Sequence, residues 1–180
     1  MPDDSDGSPF DYPRSPSLDH VDRGLLASAS FADGGGYPPS YSRFVSRAGW
    51  ARTAGLWLIY PPVLPGYADG VQGRGAVLTQ QFRAVYRDNE EEGFDFTLEP
   101  DGRWDLIDRL EAFGFSENGD LLLWDVTERD ERGEFPLWLS ANLNALERIG
   151  DTLDEALLIL NERGESPRPV TVEPLPPTRL

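Results

Sequence analysis

The run Phe113-Gly114-Phe115-Ser116-Glu117-Asn118-Gly119-Asp120-Leu121-Leu122-Leu123-Trp124-Asp125 sets a turn between two apolar stretches. Asn-Gly is the strongest short hairpin signal, because both residues tolerate the positive φ that tight turns between twisted strands require. Leu121 to Val126 therefore reads as a strand with Trp124 inside it. The preceding stretch, Leu106 to Phe115, fits helix or strand on periodicity alone. Thr127 to Glu134 is a charged connection containing Gly133, and Phe135 to Ala141 is the next strand, with Pro136 early and Trp138 inside. The second half is thus predicted to form antiparallel strands.

Helical signals surround this sheet. Leu18, Val21, Leu25 and Ala29 recur at helical spacing after Ser17, and Gly34-Gly35-Gly36 ends that segment. Pro38-Pro39 opens a second helix, since proline at a helix start loses no needed N–H; Tyr41, Phe44 and Val45 share one face, and Gly49-Trp50 closes it. Leu56 to Tyr60 reads as a buried strand, residues 61–73 as a loop, and Ala76 to Arg87 as a helix. The acidic stretch Asp88 to Asp101 interrupts order, with room for a short strand at Phe94 and Phe96. Thr152 and Glu155 form a capping box for a last helix carrying Leu153, Ala156, Leu157 and Leu160. The expected organisation is a disordered acidic tail over 1–17, one α+β domain over 18–163 and a Pro-rich tail over 164–180. A chain of 180 residues suits one such domain.

Charge excludes several functions. Thirty-two acids face sixteen bases, a net charge of −16. Such a chain is repelled by phosphate backbones and anionic bilayers, so neither nucleic acid nor membrane is expected as a partner. All the bases are Arg, which excludes Schiff-base chemistry and phosphate loops that need Lys. Without Cys there is no disulfide, thiol nucleophile or thiolate metal site. No apolar signal region opens the sequence, and a cytoplasmic location is expected.

Candidate chemistry is thin. Asp88-Asn89-Glu90-Glu91-Glu92-Gly93 with Glu99 falls near calcium-loop spacing. However, Glu replaces the shorter ligands at two positions, and Pro100 and Gly102 oppose the exiting helix. A solvated acidic loop is the preferred reading. His20 is the only His and sits at the tail's edge, where an exposed or lightly packed side chain is expected. It is a poor base for a Ser. Asp120 and Asp125 lie an odd number of residues apart, which points them to opposite strand faces and argues against a carboxylate pair. Asp120 is expected to close the turn and Asp125 to cap the strand end. The Gly34–Gly36 and Gly70–Gly75 runs lack dinucleotide-loop context. Trp50, Trp57, Trp124 and Trp138 fit core positions, whereas Trp104 follows Asp101-Gly102-Arg103 and suits an interface. No enzymatic activity, cofactor or metal is expected.

Two segments together resemble the SUKH superfamily, the Smi/Knr-like group. The first is Tyr37-Pro38-Pro39-Ser40-Tyr41-Ser42-Arg43-Phe44 with Gly49-Trp50. The second is the Phe113–Asp125 run with its Gly114, Asn118-Gly119-Asp120 and Trp124-Asp125. The resemblance implies an α+β domain, a twisted antiparallel sheet with flanking helices. Pro38, Tyr41, Phe44, Gly49, Trp50, Gly114, Asn118, Gly119, Asp120, Trp124 and Asp125 would then serve fold formation. It also implies an immunity protein that binds and neutralises a toxin domain, a nuclease being one candidate; a regulatory or scaffolding domain of the same fold is the alternative. The acids concentrate in residues 1–22 (net −5), 88–101 (net −7) and 117–134 (net −5). A basic toxin is therefore expected to meet Glu90, Glu91, Glu92, Asp130, Glu131 and Glu134, with Trp104 as the aromatic anchor. Oligomeric state is left open.

Overall fold

The computed structural model describes residues 8–164 and 169–180. The domain is α+β. Eight strands form one curled sheet: β1 (Phe10–Asp11), β2 (Ala51–Thr53), β3 (Trp57–Ile59), β4 (Leu110–Ser116), β5 (Leu121–Asp125), β6 (Leu137–Ser140), β7 (Leu146–Gly150) and β8 (Val170–Pro174). Their spatial order is β1-β8-β2-β3-β4-β5-β6-β7. All pairs are antiparallel except β1 with β8, so the sheet is mixed rather than purely antiparallel. Among the described residues four α-helices flank it: α1 (Arg23–Ser28), α2 (Pro39–Ala48), α3 (Ala76–Glu92) and α4 (Leu153–Arg163).

The hairpin forms where the Asn-Gly signal places it. Glu117–Asp120 connects β4 to β5, Gly119 has φ +96, and the Ser116 N–H donates to the Asp120 carbonyl. Leu106–Phe115 divides between both readings: Trp104–Arg109 winds as 3-10 turns and Leu110 begins a strand. A bulge in β4 inserts Phe113, whose ring stacks on Trp124 at 4.1 Å between centroids. Tyr41 of α2 meets both rings edge-on, and its hydroxyl donates to the Tyr60 carbonyl at 2.5 Å. Each such aromatic pair contributes about 0.5–1.5 kcal/mol beyond its buried area. Neighbouring strand residues face opposite sides: α2 packs on Trp124, while Tyr86 of α3 bonds Ser140, which pairs with Leu121 on the other face, so α2 and α3 occupy opposite faces of the sheet. α4 touches α2 and also both β7 and β8, which lie near opposite ends of the strand order; the sheet curls around it.

Several segments differ from the sequence reading. The stretch expected as a Pro-rich tail contains β8, a strand inside the sheet between β1 and β2. Val170 and Val172 are fully buried while Thr171 between them is exposed, and the prolines flank this alternation rather than break it. Beyond it the chain returns along the 61–73 loop, Ala68 donating to the Thr178 carbonyl and Leu180 to that of Gly66. Of the expected disordered tail, residues 1–7 lie outside the described residues. Residues 10–11 form β1, held by the edge of β8 and by the Phe10 ring against Phe44. The first helix is only one and a half turns, and Asp22 rather than Ser17 caps it, accepting from the Leu25 N–H at 2.8 Å. His20 is buried rather than exposed: its Nε2 accepts the Trp50 N–H at 3.1 Å, and burial holds its pKa below the ordinary value. Strands β2 and β7 lie where no strand is expected.

The motif residues serve packing and turns. Gly49 ends α2, Trp50 stacks on Tyr60, Pro38 and Phe44 are buried, and Gly114 sits against Ile59 and Leu122 at the bulge. Asp120 closes the turn, accepting from the Ser116 hydroxyl and from the Asn142 N–H. Asp125 does more than end a strand. Its side chain is 3% exposed and accepts from Arg109, the Thr127 N–H and the Thr127 hydroxyl.

Candidate functional site

The acidic stretch begins as helix, not loop. α3 continues through Glu92, because Glu is a good helix former and Gly93 supplies the left-handed residue that ends the helix, at φ +72. Asp88, Glu90, Glu91 and Glu92 thus occupy the last turns, with no base in the last turn. Each backbone dipole already leaves the C-terminal end of a helix negative, so acids there oppose the helix's own field. Glu90 is paired with Arg87. Asp88, Glu91 and Glu92 have no ion pair among the described residues. The calcium-loop spacing therefore falls on a helix end, and among the described residues no group of acids and His converges to hold a metal.

Immediately beyond this end the chain makes a 3-10 turn, Asp95–Leu98. Thr97 and Leu98 are buried, and Leu146 of β7 donates its N–H to the Glu99 carbonyl. This anchoring leaves Phe94 and Phe96 turned outward, 44% and 55% exposed, with ring centroids 5.7 Å apart. Trp104 stands beside them. Its indole N–H donates to Asp95 at 2.9 Å, and its ring packs on the edge of the core. The result is three aromatic rings next to unpaired carboxylates, Glu91 and Glu92 being exposed. The Phe94/Phe96 alternation reads as a strand in sequence; its outward rings become visible only once Thr97 and Leu98 are placed inside.

The second expected acidic site behaves differently. Asp130 folds back on its own connection, accepting the N–H groups of Arg132 and Glu134 and pairing with Arg132 at 2.9 Å. The Glu134 N–H is the first of the groups that hold the Asp130 carboxyl below its ordinary range. Glu131 is exposed. Glu134, expected on the recognition surface, is only 5% exposed and must be withdrawn from it. The reason lies at the start of α2. Pro38 and Pro39 have no N–H, so Ser40 offers the first unsatisfied donor of that helix, and Glu134 accepts it at 2.8 Å. The Ser40 hydroxyl donates to the other Glu134 oxygen and accepts the Leu153 N–H that opens α4. Burial pushes the Glu134 carboxyl above its ordinary value.

The structure therefore places Glu90, Glu91 and Glu92 at the end of α3 and ties Trp104 to Asp95 in the turn just beyond it. It keeps Asp130 and Glu131 on a separate connection beside the starts of α2 and α4. No described helix is long and apolar enough to cross a membrane. Comparison of the chain with family models, with curated proteins and with solved structures found no match in any of the three.

Proposed function

We propose that this chain is a non-enzymatic protein-binding domain that docks a basic protein through the end of α3, with no cofactor and no nucleic-acid partner. The observation that carries this reading is the pairing of exposed Phe94 and Phe96 with the unpaired acids Glu91 and Glu92. Aromatic anchors surrounded by one sign of charge give both parts of a recognition surface: the rings supply buried area, and the field steers an opposite charge in. The partner is a basic toxin domain, and the chain acts in the cytoplasm as its immunity protein. Nuclease toxins tend to be basic because their substrate is an anion, so an acidic inhibitor reaches such a partner quickly and covers the same site.

The test uses the protein encoded by the gene adjacent to this chain's own, expressed as a candidate toxin. Co-purification and protection of cells expressing the toxin are expected. Reversing Glu90, Glu91 and Glu92 together to Arg should slow association about tenfold or more at low salt and remove most of its salt dependence. Absence of a complex, or death of the co-expressing cells, overturns the immunity reading. An unchanged association rate in the triple variant overturns the surface.

A further inference from the structure

A second feature lies away from the α3 end and shares no residue with it. A cleft of about 650 Å³ opens between the 29–37 segment, the start of α3 and β4. β3 pairs with β4 only at Gly114–Ser116, so the β4 edge over Leu110–Ala112 has no strand beside it. Side chains of α3 satisfy that edge instead. Thr79 accepts the Ala112 N–H at 2.8 Å, and Arg83 donates to the Leu110 carbonyl at 3.1 Å and to that of Asp108 at 2.9 Å. Gly75 closes down on the Ala112 carbonyl so tightly that a Cβ would stand 2.7 Å from that oxygen. An added peptide strand is therefore blocked, while the cleft volume falls in the range of small-molecule sites, roughly 300–1,000 Å³.

Phe31, Tyr37 and Trp124 form an aromatic wall, their rings joined edge-on or tilted within 6.1 Å. Two opposite charges also line the cleft, Arg83 and Glu111. They do not pair with each other, and neither has another ion partner among the described residues. Arg83 additionally buries its Nε without an acceptor. Glu111 stands across from Trp124 on the neighbouring strand. It also lies near Tyr37, whose hydroxyl is raised in pKa by burial and then by this carboxylate. Half-desolvated charges without an ion partner are costly, and a ligand bearing the complementary pair supplies one to each.

We propose that this cleft binds a small zwitterion with an apolar body, an α-amino acid carrying an aromatic or branched side chain. Its ammonium group faces Glu111, its carboxylate faces Arg83, and its side chain lies on the Phe31–Tyr37–Trp124 wall. The test is calorimetric titration of the full chain with L-phenylalanine, L-tryptophan and L-leucine, and with N-acetyl-L-phenylalanine and L-phenylalanine amide. Saturable binding of at least one free amino acid is expected, with both blocked derivatives weaker by about tenfold or more. Glu111→Gln should weaken the free amino acid by a similar factor and leave the N-acetyl compound unchanged. Ala76→Phe, which fills the cleft from α3 at a helix-compatible position, should abolish binding while the melting temperature is retained. No saturable binding of any of the three amino acids overturns the proposal. Equal affinity for the blocked derivatives, or binding indifferent to Ala76→Phe, does the same.

Discussion

The end of α3 and the β5–β6 connection are both acidic, and they use their acids in opposite ways. In the connection, all the carboxylates but that of exposed Glu131 are consumed internally. Asp125 and Glu128 meet Arg109, Asp130 holds its own turn, and Glu134 caps α2. Beyond α3, carboxylates stand unpaired against a helix dipole that they aggravate, beside rings that water reaches. Charge of the same sign in the sequence thus conceals one region that stabilises the fold and one that spends stability on a surface. A region that lowers stability without a packing reason is where recognition is to be sought.

That contrast can be broken by substitution. Asp125→Ala should cost the most, about 3 kcal/mol, because it leaves Arg109 half-buried without its main carboxylate; denaturant unfolding reads it directly. Glu134→Ala should cost about 2 kcal/mol by orphaning the Ser40 N–H and hydroxyl. If either variant unfolds at the native midpoint, the connection is not structural in the sense argued. The same carboxyl gives a pH signature. Since its folded pKa is raised, its contribution is complete below the ordinary glutamate value of 4.5 and is lost as pH rises through the raised value. The stability of the native chain relative to Glu134→Gln should therefore fall with rising pH above about 4.5 and stay flat below it.

Changes at the α3 end should act in the other direction. Glu91→Arg with Glu92→Arg relieves the helix dipole and should raise the melting temperature by about 1–3 °C, while slowing association with the basic partner. A fall in melting temperature would show that these acids are structural after all. Phe94→Ser with Phe96→Ser should be the quietest for folding, within roughly 0.5–1 kcal/mol, yet should strongly weaken the complex. Binding at native strength would remove the rings from the surface.

Local chemistry was readable where the deciding partners lie close in sequence. The Asn118-Gly119 turn, Pro39 at the start of α2 and the Thr152 cap, which accepts the Glu155 N–H, all follow from neighbours within a few residues. What escaped depends on distant chain. Glu134 reads as a loop charge until Ser40, ninety-four positions away, is placed beside it. His20 reads as solvent-exposed until Trp50 donates to it. Val170-Thr171-Val172 is a three-residue alternation among prolines, too short to signal a strand without β1 and β2 on either side. The acidic cluster was found from composition, but its aromatic companions Phe94 and Phe96 were not, because alternation cannot distinguish a pleated strand from a 3-10 turn anchored on one side.

The position of β8 carries a consequence for biosynthesis. Strand β2 is made early, yet its outer neighbour is residues 170–174. A nascent chain still attached to the ribosome therefore displays β2 as an open edge until synthesis has passed Pro174 and that segment has cleared the exit tunnel. Unpaired edges are sticky, and β2 offers only three residues, one of them the charged Arg52. Brevity and a guanidinium guard the half-built sheet until its last strand arrives.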